Sequence, residues 1–165
     1  MATEGKNLSY YDQSTIPNGE KMTVGIFVSA WNDQITNWFL EGALAPLKAN
    51  GVKEENINVK WVPGTFELPL AAQYLFEANL VDGVVCLGSV VQGETKHFDF
   101  VCQGATDGIM NVGLKYNKPA IFGVLTDNTM QQGLDRSGGK HGNKGIECAI
   151  ACMKMIAFKN SLWIV

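Results

Sequence analysis

Gly83-Val84-Val85-Cys86-Leu87-Gly88 is apolar at every position and closed by glycines. A strand with one wet face alternates polar with apolar residues. A run that is apolar throughout needs cover on both faces, the setting of a parallel sheet clad in helices. The rest of the chain supplies that cladding. Residues 23–28, 57–62 and 120–125 read as further strands. Between the strands lie segments of helical period: residues 33–49, with Ile35, Trp38, Phe39, Ala43 and Leu47 at steps of three and four, then 66–77, then 97–116, closed by Asn117 and Pro119. A helix over 128–136, a glycine-rich loop and a helix over 145–158 complete the chain. Strands and helices alternating through short connections predict a three-layer α/β/α sandwich around a doubly wound sheet of four parallel strands.

The winding is flavodoxin-like, and 165 residues suffice for one such domain. Residues 1–21 are polar and read as an N-terminal arm, residues 22–160 as the α/β domain, and residues 161–165 as an apolar C-terminal tail. A net charge of −3 without any basic patch excludes a nucleic-acid or membrane-surface binder, and no stretch is long and apolar enough to span a bilayer. Charged residues make up 18% of the chain, which is low and suggests surface covered by other subunits. The four cysteines form no C-x-x-C pair and are expected as reduced thiols in a cytosol. Two histidines and scattered cysteines offer no metal-ligand spacing, so no metal is expected.

Ligands of doubly wound sheets bind beyond the carboxyl ends of the strands, where every unusual motif of this chain falls. After the third strand, Gly93 lets the backbone turn closely. The N–H groups of Glu94 and Thr95 and the Thr95 hydroxyl can hold a phosphate at the positive end of the next helix. His97 follows as a proton-transfer group whose cationic form the helix dipole disfavours. A simple helix cap and a packed or solvated histidine are the plainer alternatives. Arg136 can supply the bidentate partner a phosphate prefers, or be a solvated helix-end charge like Lys140, His141 and Lys144. Trp31 can stack a flat heterocycle or pack over the sheet edge. Glu67 can accept hydroxyl hydrogen bonds or merely favour a helix dipole, and Phe122 lies inside a strand, by default in the core. The glycine-rich loop between Gly138 and Gly145 demands unusual backbone angles.

Taken together, Ser29-Ala30-Trp31-Asn32, Pro63-Gly64-Thr65-Phe66-Glu67-Leu68-Pro69, the stretch from Leu87 through Gly93-Glu94-Thr95-Lys96-His97-Phe98-Asp99, Phe122-Gly123-Val124-Leu125-Thr126 and Asp135-Arg136-Ser137-Gly138-Gly139-Lys140-His141-Gly142-Asn143-Lys144-Gly145 resemble the 6,7-dimethyl-8-ribityllumazine synthase family, in order and with its spacing. The resemblance implies the penultimate step of riboflavin biosynthesis: 5-amino-6-(D-ribitylamino)uracil condenses with 3,4-dihydroxy-2-butanone 4-phosphate, releasing phosphate and water, with neither cofactor nor metal. It implies that Trp31 stacks on the pyrimidine with Asn32 beside it, that Thr65 and Glu67 hold the ribityl chain with backbone around Ser89, Val90 and Val91, and that Phe66 belongs to the same substrate-binding set. Gly93, Glu94, Thr95 and Arg136 would bind phosphate, His97 would move protons, and Lys144 would reach the ribityl or pyrimidine end.

In this family the site lies between adjacent subunits of a pentamer, so Phe122, Arg136 and Lys140 need not come from the chain that supplies Trp31. The short loop over residues 138–145 is similar to that of members that close pentamers into an icosahedral shell, the arm would add a strand to a neighbour's sheet, and riboflavin synthase is the candidate protein partner. The chain departs from the family's common residues at Trp31, often Phe, at Gln92, often basic, and at Lys96, which either restores that charge or lowers the His97 pKa by repulsion. A non-catalytic flavin- or lumazine-binding shell protein is the alternative. A flavodoxin-like signalling or electron-transfer domain would need an acidic cluster or an FMN phosphate loop after the first strand, and Ser29-Ala30-Trp31-Asn32 is neither.

Overall fold

The apolar runs become four parallel strands, β1 (Val24–Ser29), β2 (Ile57–Val62), β3 (Gly83–Val91) and β4 (Ala120–Asp127), in the order β2-β1-β3-β4. The computed structural model describes Asn7 and residues 9–162. The first six residues and Leu8 of the expected arm, and Trp163-Ile164-Val165 of the apolar tail, lie outside them. The central strands β1 and β3 are buried along nearly their whole length, as their composition requires, while β2 at one edge leaves Lys60 and Trp61 exposed.

Helices cover both faces. On one, α1 (Asp33–Ala49) and α5 (Lys144–Ser161) pack Ile35, Phe39, Ala43, Leu47, Cys148 and Met153 against Val24, Ile26, Val28 and Leu87. On the other, α2 (Leu68–Glu77) and α3 (His97–Tyr116) pack Leu68, Ala72, Phe76 and Ile109 against Phe27, Val84 and Cys86. Fully burying a side chain such as Phe39 or Leu47 contributes about 1.5–3 kcal/mol. Trp38, expected on the apolar stripe of α1, instead lies on its flank, 39% exposed. In α3 only Ala105, Ile109 and Val112 are buried, and Phe100, Met110 and Leu114 stand largely in solvent.

β3 runs three residues beyond its apolar run, through Ser89-Val90-Val91, because these pair with Leu125, Thr126 and Asp127 of β4, itself two residues longer than expected. The helix expected over 66–77 begins with a separate 3-10 turn at Thr65–Glu67. The glycine-rich loop after α4 (Met130–Arg136) is a small antiparallel hairpin, β5 (Ser137–Gly139) with β6 (Gly142–Asn143). Gly138 and Gly142 there take φ of +127° and +84°, the left-handed angles anticipated for this loop. The described part of the arm forms no strand. It lies along its own chain, with Lys154 donating to Thr15 and Ile16 packed on the α1–α5 core.

The four cysteines are free thiols. Burial pushes Cys86 up to about 12 and Cys148 up to about 11, and raises Cys152 further, so these three stay protonated and inert.

Candidate functional site at the carboxyl ends of the strands

β1 leads to β2 on one side and β3 lies on the other, so the winding reverses between β1 and β3, where a doubly wound sheet opens its crevice. Asn32 spans that point. It sits in the left-handed region (φ 56°), which asparagine tolerates, and its Nδ2 donates to the Ser89 carbonyl at 3.0 Å. The bond ties the end of β1 to the end of β3 and leaves Trp31 projecting, 72% exposed.

Beneath Trp31 the chain after β2 must approach closely. A Cβ on Gly64 would lie 2.9 Å from Glu67 Oε2 and 3.4 Å from the Trp31 ring, so glycine lets the indole and the carboxylate share one wall. Thr65 fits against Gly88, whose missing Cβ leaves its hydroxyl room. Phe66 lies over Gly104 of α3 with its ring 58% exposed. The Thr65 and Ser89 hydroxyls are buried and have no hydrogen-bond partner among the described residues. Buried hydroxyls in this state lack about 1–3 kcal/mol of compensation each, which a ligand or water can supply.

These elements enclose a cleft of about 890 Å³. It takes Trp31 and Asn32 from the first strand end, Thr65, Phe66 and Glu67 from the second, Ser89, Val90 and Val91 from the third, and His97 from the start of α3. Between Val91 and His97, Gln92 N–H donates to the Asp127 carbonyl at 2.8 Å, fixing where the turn leaves the sheet. The N–H groups of Gly93, Glu94, Thr95 and Lys96 beyond it donate to no acceptor among the described residues, and the space where a Gly93 Cβ would stand is open. The Thr95 hydroxyl accepts His97 N–H at 3.3 Å from one residue ahead of the N-cap, Lys96, which makes no side-chain cap. The hydroxyl thus serves the helix start without being its cap, and the N–H groups of the turn stay open to an acceptor.

The remaining candidates lie elsewhere in the chain. Phe122 faces a second groove of about 600 Å³ between α3 and α5, with Met110, Leu114, Met155 and Phe158. Arg136 and Lys144 are neither in the cleft nor solvated at a helix end. Arg136 donates to Glu147 Oε1 at 2.6 Å and to the His141 carbonyl at 2.7 Å, and Lys144 reaches Glu147 Oε2 at 3.2 Å, all three side chains being more than 70% buried. Two cations on one carboxylate leave net positive charge at this point. Lys140 pairs with Asp135 at 3.1 Å on the surface.

Sequence reasoning passed over Gly64, Phe100 and Val101, which also line the cleft, and Glu147. Phe100 stands one helical turn after His97, and Glu147 stands at i+3 from Lys144, so spacing could have found both. It also missed Asp127, for which no signal existed: an acid closing a strand ordinarily points to water. Here it is buried against Ile35 and Gly133, and its Oδ2 has no hydrogen-bond partner among the described residues. Burial raises its carboxyl to about 6, against the opposing pull of Arg136. A carboxyl raised in this way stabilises the fold only while protonated: fully below its unfolded value near 4, and no longer once the pH passes about 6. Asp127→Asn is therefore expected to raise Tm by roughly 3–6 °C at pH 7.5 and to leave it unchanged near pH 4. Calorimetry at both values checks this, and a lower Tm at pH 7.5 would refute it.

Among the described residues no group of three His, Cys, Asp or Glu side chains could hold a metal ion, and no helix is long and apolar enough to cross a membrane.

A four-stranded parallel sheet wound from both sides, with a mixed aromatic and polar cleft at its switch point and a free N–H turn opening a helix, defines a doubly wound α/β protein with a cleft of small-molecule size. The sequence places it more narrowly. Residues 21–160 match the family profile of 6,7-dimethyl-8-ribityllumazine synthase, and the chain belongs to that family. Relatives bearing that name are 51% identical in Parabacteroides distasonis, over 96% of this chain and 99% of the relative, and 49% identical in Phocaeicola vulgatus, over 98% and 96%. The Flavobacterium johnsoniae relative is 53% identical over 94% of this chain and 82% of its own length. The resemblance drawn from the motifs, and the fold it implied, are borne out.

Proposed function

We propose that this chain condenses 5-amino-6-(D-ribitylamino)uracil with 3,4-dihydroxy-2-butanone 4-phosphate to 6,7-dimethyl-8-ribityllumazine in the biosynthesis of riboflavin. The observation that carries the reading is the content of one cleft: an aromatic plane at Trp31, unpartnered buried hydroxyls at Thr65 and Ser89 beside the Glu67 carboxylate, and a free N–H turn running into His97. A flat pyrimidine, a polyhydroxylated chain and a phosphate need these three surfaces.

The chemistry asks for positioning more than for a nucleophile. The substrate amine adds to the ketone and water leaves to give an imine. A proton then leaves the hydroxyl-bearing carbon as phosphate departs from its neighbour. The enol so formed tautomerises to a new carbonyl while the terminal carbon becomes a methyl group, and the second amine closes the ring on that new carbonyl with loss of another water. Holding both substrates in contact supplies most of the gain. His97 moves the protons, while the turn over residues 93–96 and Arg136 take up the charge of the departing phosphate.

Arg136, Lys144 and Phe122 lie outside the cleft of their own chain, so they act in the cleft of a neighbour. The exposed apolar side chains of α3 and of the second groove favour packing into pentamers with sites between adjacent subunits, and the short 138–145 loop favours closure of pentamers into an icosahedral shell. The arm adding a strand to a neighbour, riboflavin synthase as partner and the cytosol as location belong to the same reading.

Absorbance and fluorescence of the lumazine product, followed with purified protein and both substrates, test it. Formation well above the spontaneous rate is expected. A folded oligomer that binds lumazine or flavin without accelerating the condensation would instead be a non-catalytic binder.

A further inference from the structure

The Arg136–Glu147–Lys144 cluster joins the end of α4 to the start of α5, and the seven residues of the hairpin lie between them. What fixes it is Asn143. As N-cap of α5, its Oδ1 accepts Gly145 N–H at 2.8 Å. Its Nδ2 donates to the Trp38 carbonyl of α1 at 2.7 Å and to the Ser137 carbonyl at 3.2 Å. One carboxamide thus joins α1, α5 and the residue next to Arg136. Gly42 leaves it room, since a Cβ there would fall on the Asn143 carboxamide. The main chain of Asn143 is clasped from outside by Ser9, whose hydroxyl donates to its carbonyl at 2.9 Å and accepts from its N–H.

We propose that Asn143, clasped by Ser9 of the arm, is a positioning residue that holds Arg136 in the orientation in which it binds phosphate. The proposal rests on the phosphate role given to Arg136 above. The guanidinium is aimed by the His141 carbonyl and Glu147, and both acceptors belong to segments that Asn143 joins: the hairpin through Ser137, α5 through Gly145. Releasing Nδ2 frees the hairpin from α1 while leaving α5 capped.

Asn143→Asp separates the two roles. A carboxylate caps a helix as well as a carboxamide does, but it cannot donate and would face two carbonyls. In the assembled protein, inorganic phosphate affinity measured by calorimetry is expected to fall about tenfold, and amide exchange to quicken over residues 136–143 but not in the body of α5. At that affinity ratio the difference is about 1.4 kcal/mol, the scale of one or two hydrogen bonds. Ser9→Ala, which leaves the carboxamide in place, is expected to act in the same direction by two- to threefold. Turnover adds a split: KM for the phosphate substrate rises with the loss of phosphate affinity, while KM for the pyrimidine stays within about twofold.

Unchanged phosphate affinity in both variants, exchange that quickens throughout α5, or a parent protein that binds no phosphate would each overturn the proposal. A parent that binds phosphate but forms no lumazine, with the variants weakened as stated, would remove the proposed reaction and leave the positioning role standing.

Discussion

Arg136→Ala is expected to lower kcat/KM for the butanone phosphate by about a hundred- to a thousandfold, with KM for the pyrimidine within about twofold of the parent. Two losses combine. The charge-assisted bonds to bound phosphate go, about 1.5–3 kcal/mol, and so does stabilisation of the charge that grows as phosphate leaves. A third effect comes from Glu147. It now faces both Arg136 and Lys144, and without the guanidinium it becomes a half-compensated, largely buried carboxylate beside an incoming phosphate. Arg136→Lys is expected to recover only part of the activity, because one ammonium cannot serve Glu147, the His141 carbonyl and a phosphate with the geometry of a planar fork. Steady-state kinetics with each substrate varied at saturation of the other distinguishes these outcomes. Equal rises in both KM values would mean that Arg136 supports the fold of the site and not the phosphate. Since Arg136 lies outside the cleft of its own chain, co-assembly with a Trp31→Ala chain is expected to restore activity that neither variant has alone.

The fold was legible in this sequence because its signals are strong and local. Short apolar runs fix the strands, and the 35-39-43-47 spacing fixes the buried face of α1. The cleft was legible for the same reason: Trp31, Thr65, Glu67 and His97 each follow a strand at a turn, so topology alone brings them together. What could not be read depends on pairing across the chain. Ser89 looks like the polar end of a strand, yet it continues the sheet because it lies in register with Leu125, and its hydroxyl ends up buried without a partner. Trp38 has the right spacing for the core and misses it because the α1–α5 contact is made by Gly42 and its neighbours instead. Arg136 and Lys144 look alike as loop charges, and only a glutamate on the following helix gathers them. Asp127 is buried by Ile35 and Gly133, which are distant from each other in sequence.

The same contact between α1 and α5 makes Gly145→Ala a change of large effect and of a sign that helix propensity would miss. Gly145 lies in the first turn of α5, where alanine favours a helix by about 0.8–1.0 kcal/mol over glycine. Local preference alone therefore predicts a more stable protein. The structure predicts the reverse, because a Cβ at this position would overlap the carbonyl oxygen of Phe39 and come within 2.9 Å of its carbonyl carbon and 3.0 Å of Ala43 N. These are backbone atoms in mid-helix, which cannot rotate away as a side chain can. Relief requires the two helices to separate, and the residues between them, Phe39, Ala43, Ala149 and Cys152, are fully buried. Overpacking of a core costs about 1–3 kcal/mol where side chains can shift, and more is expected where none can. A fall in Tm of roughly 10 °C or more follows for a chain of this size. Gly42→Ala is expected to be milder, since its Cβ meets the Asn143 carboxamide, an atom group that can move at the expense of its hydrogen bonds. Thermal melts of the two variants order them, and a Gly145→Ala protein as stable as its parent would show that the helices part without loss. α1 carries Trp31 and Asn32 ahead of its first turn, and α5 carries Lys144 and Glu147 in its own. The glycine that brings these helices together therefore also sets the distance between Trp31 and Asn32 at the cleft and the Lys144–Glu147 pair at the start of α5.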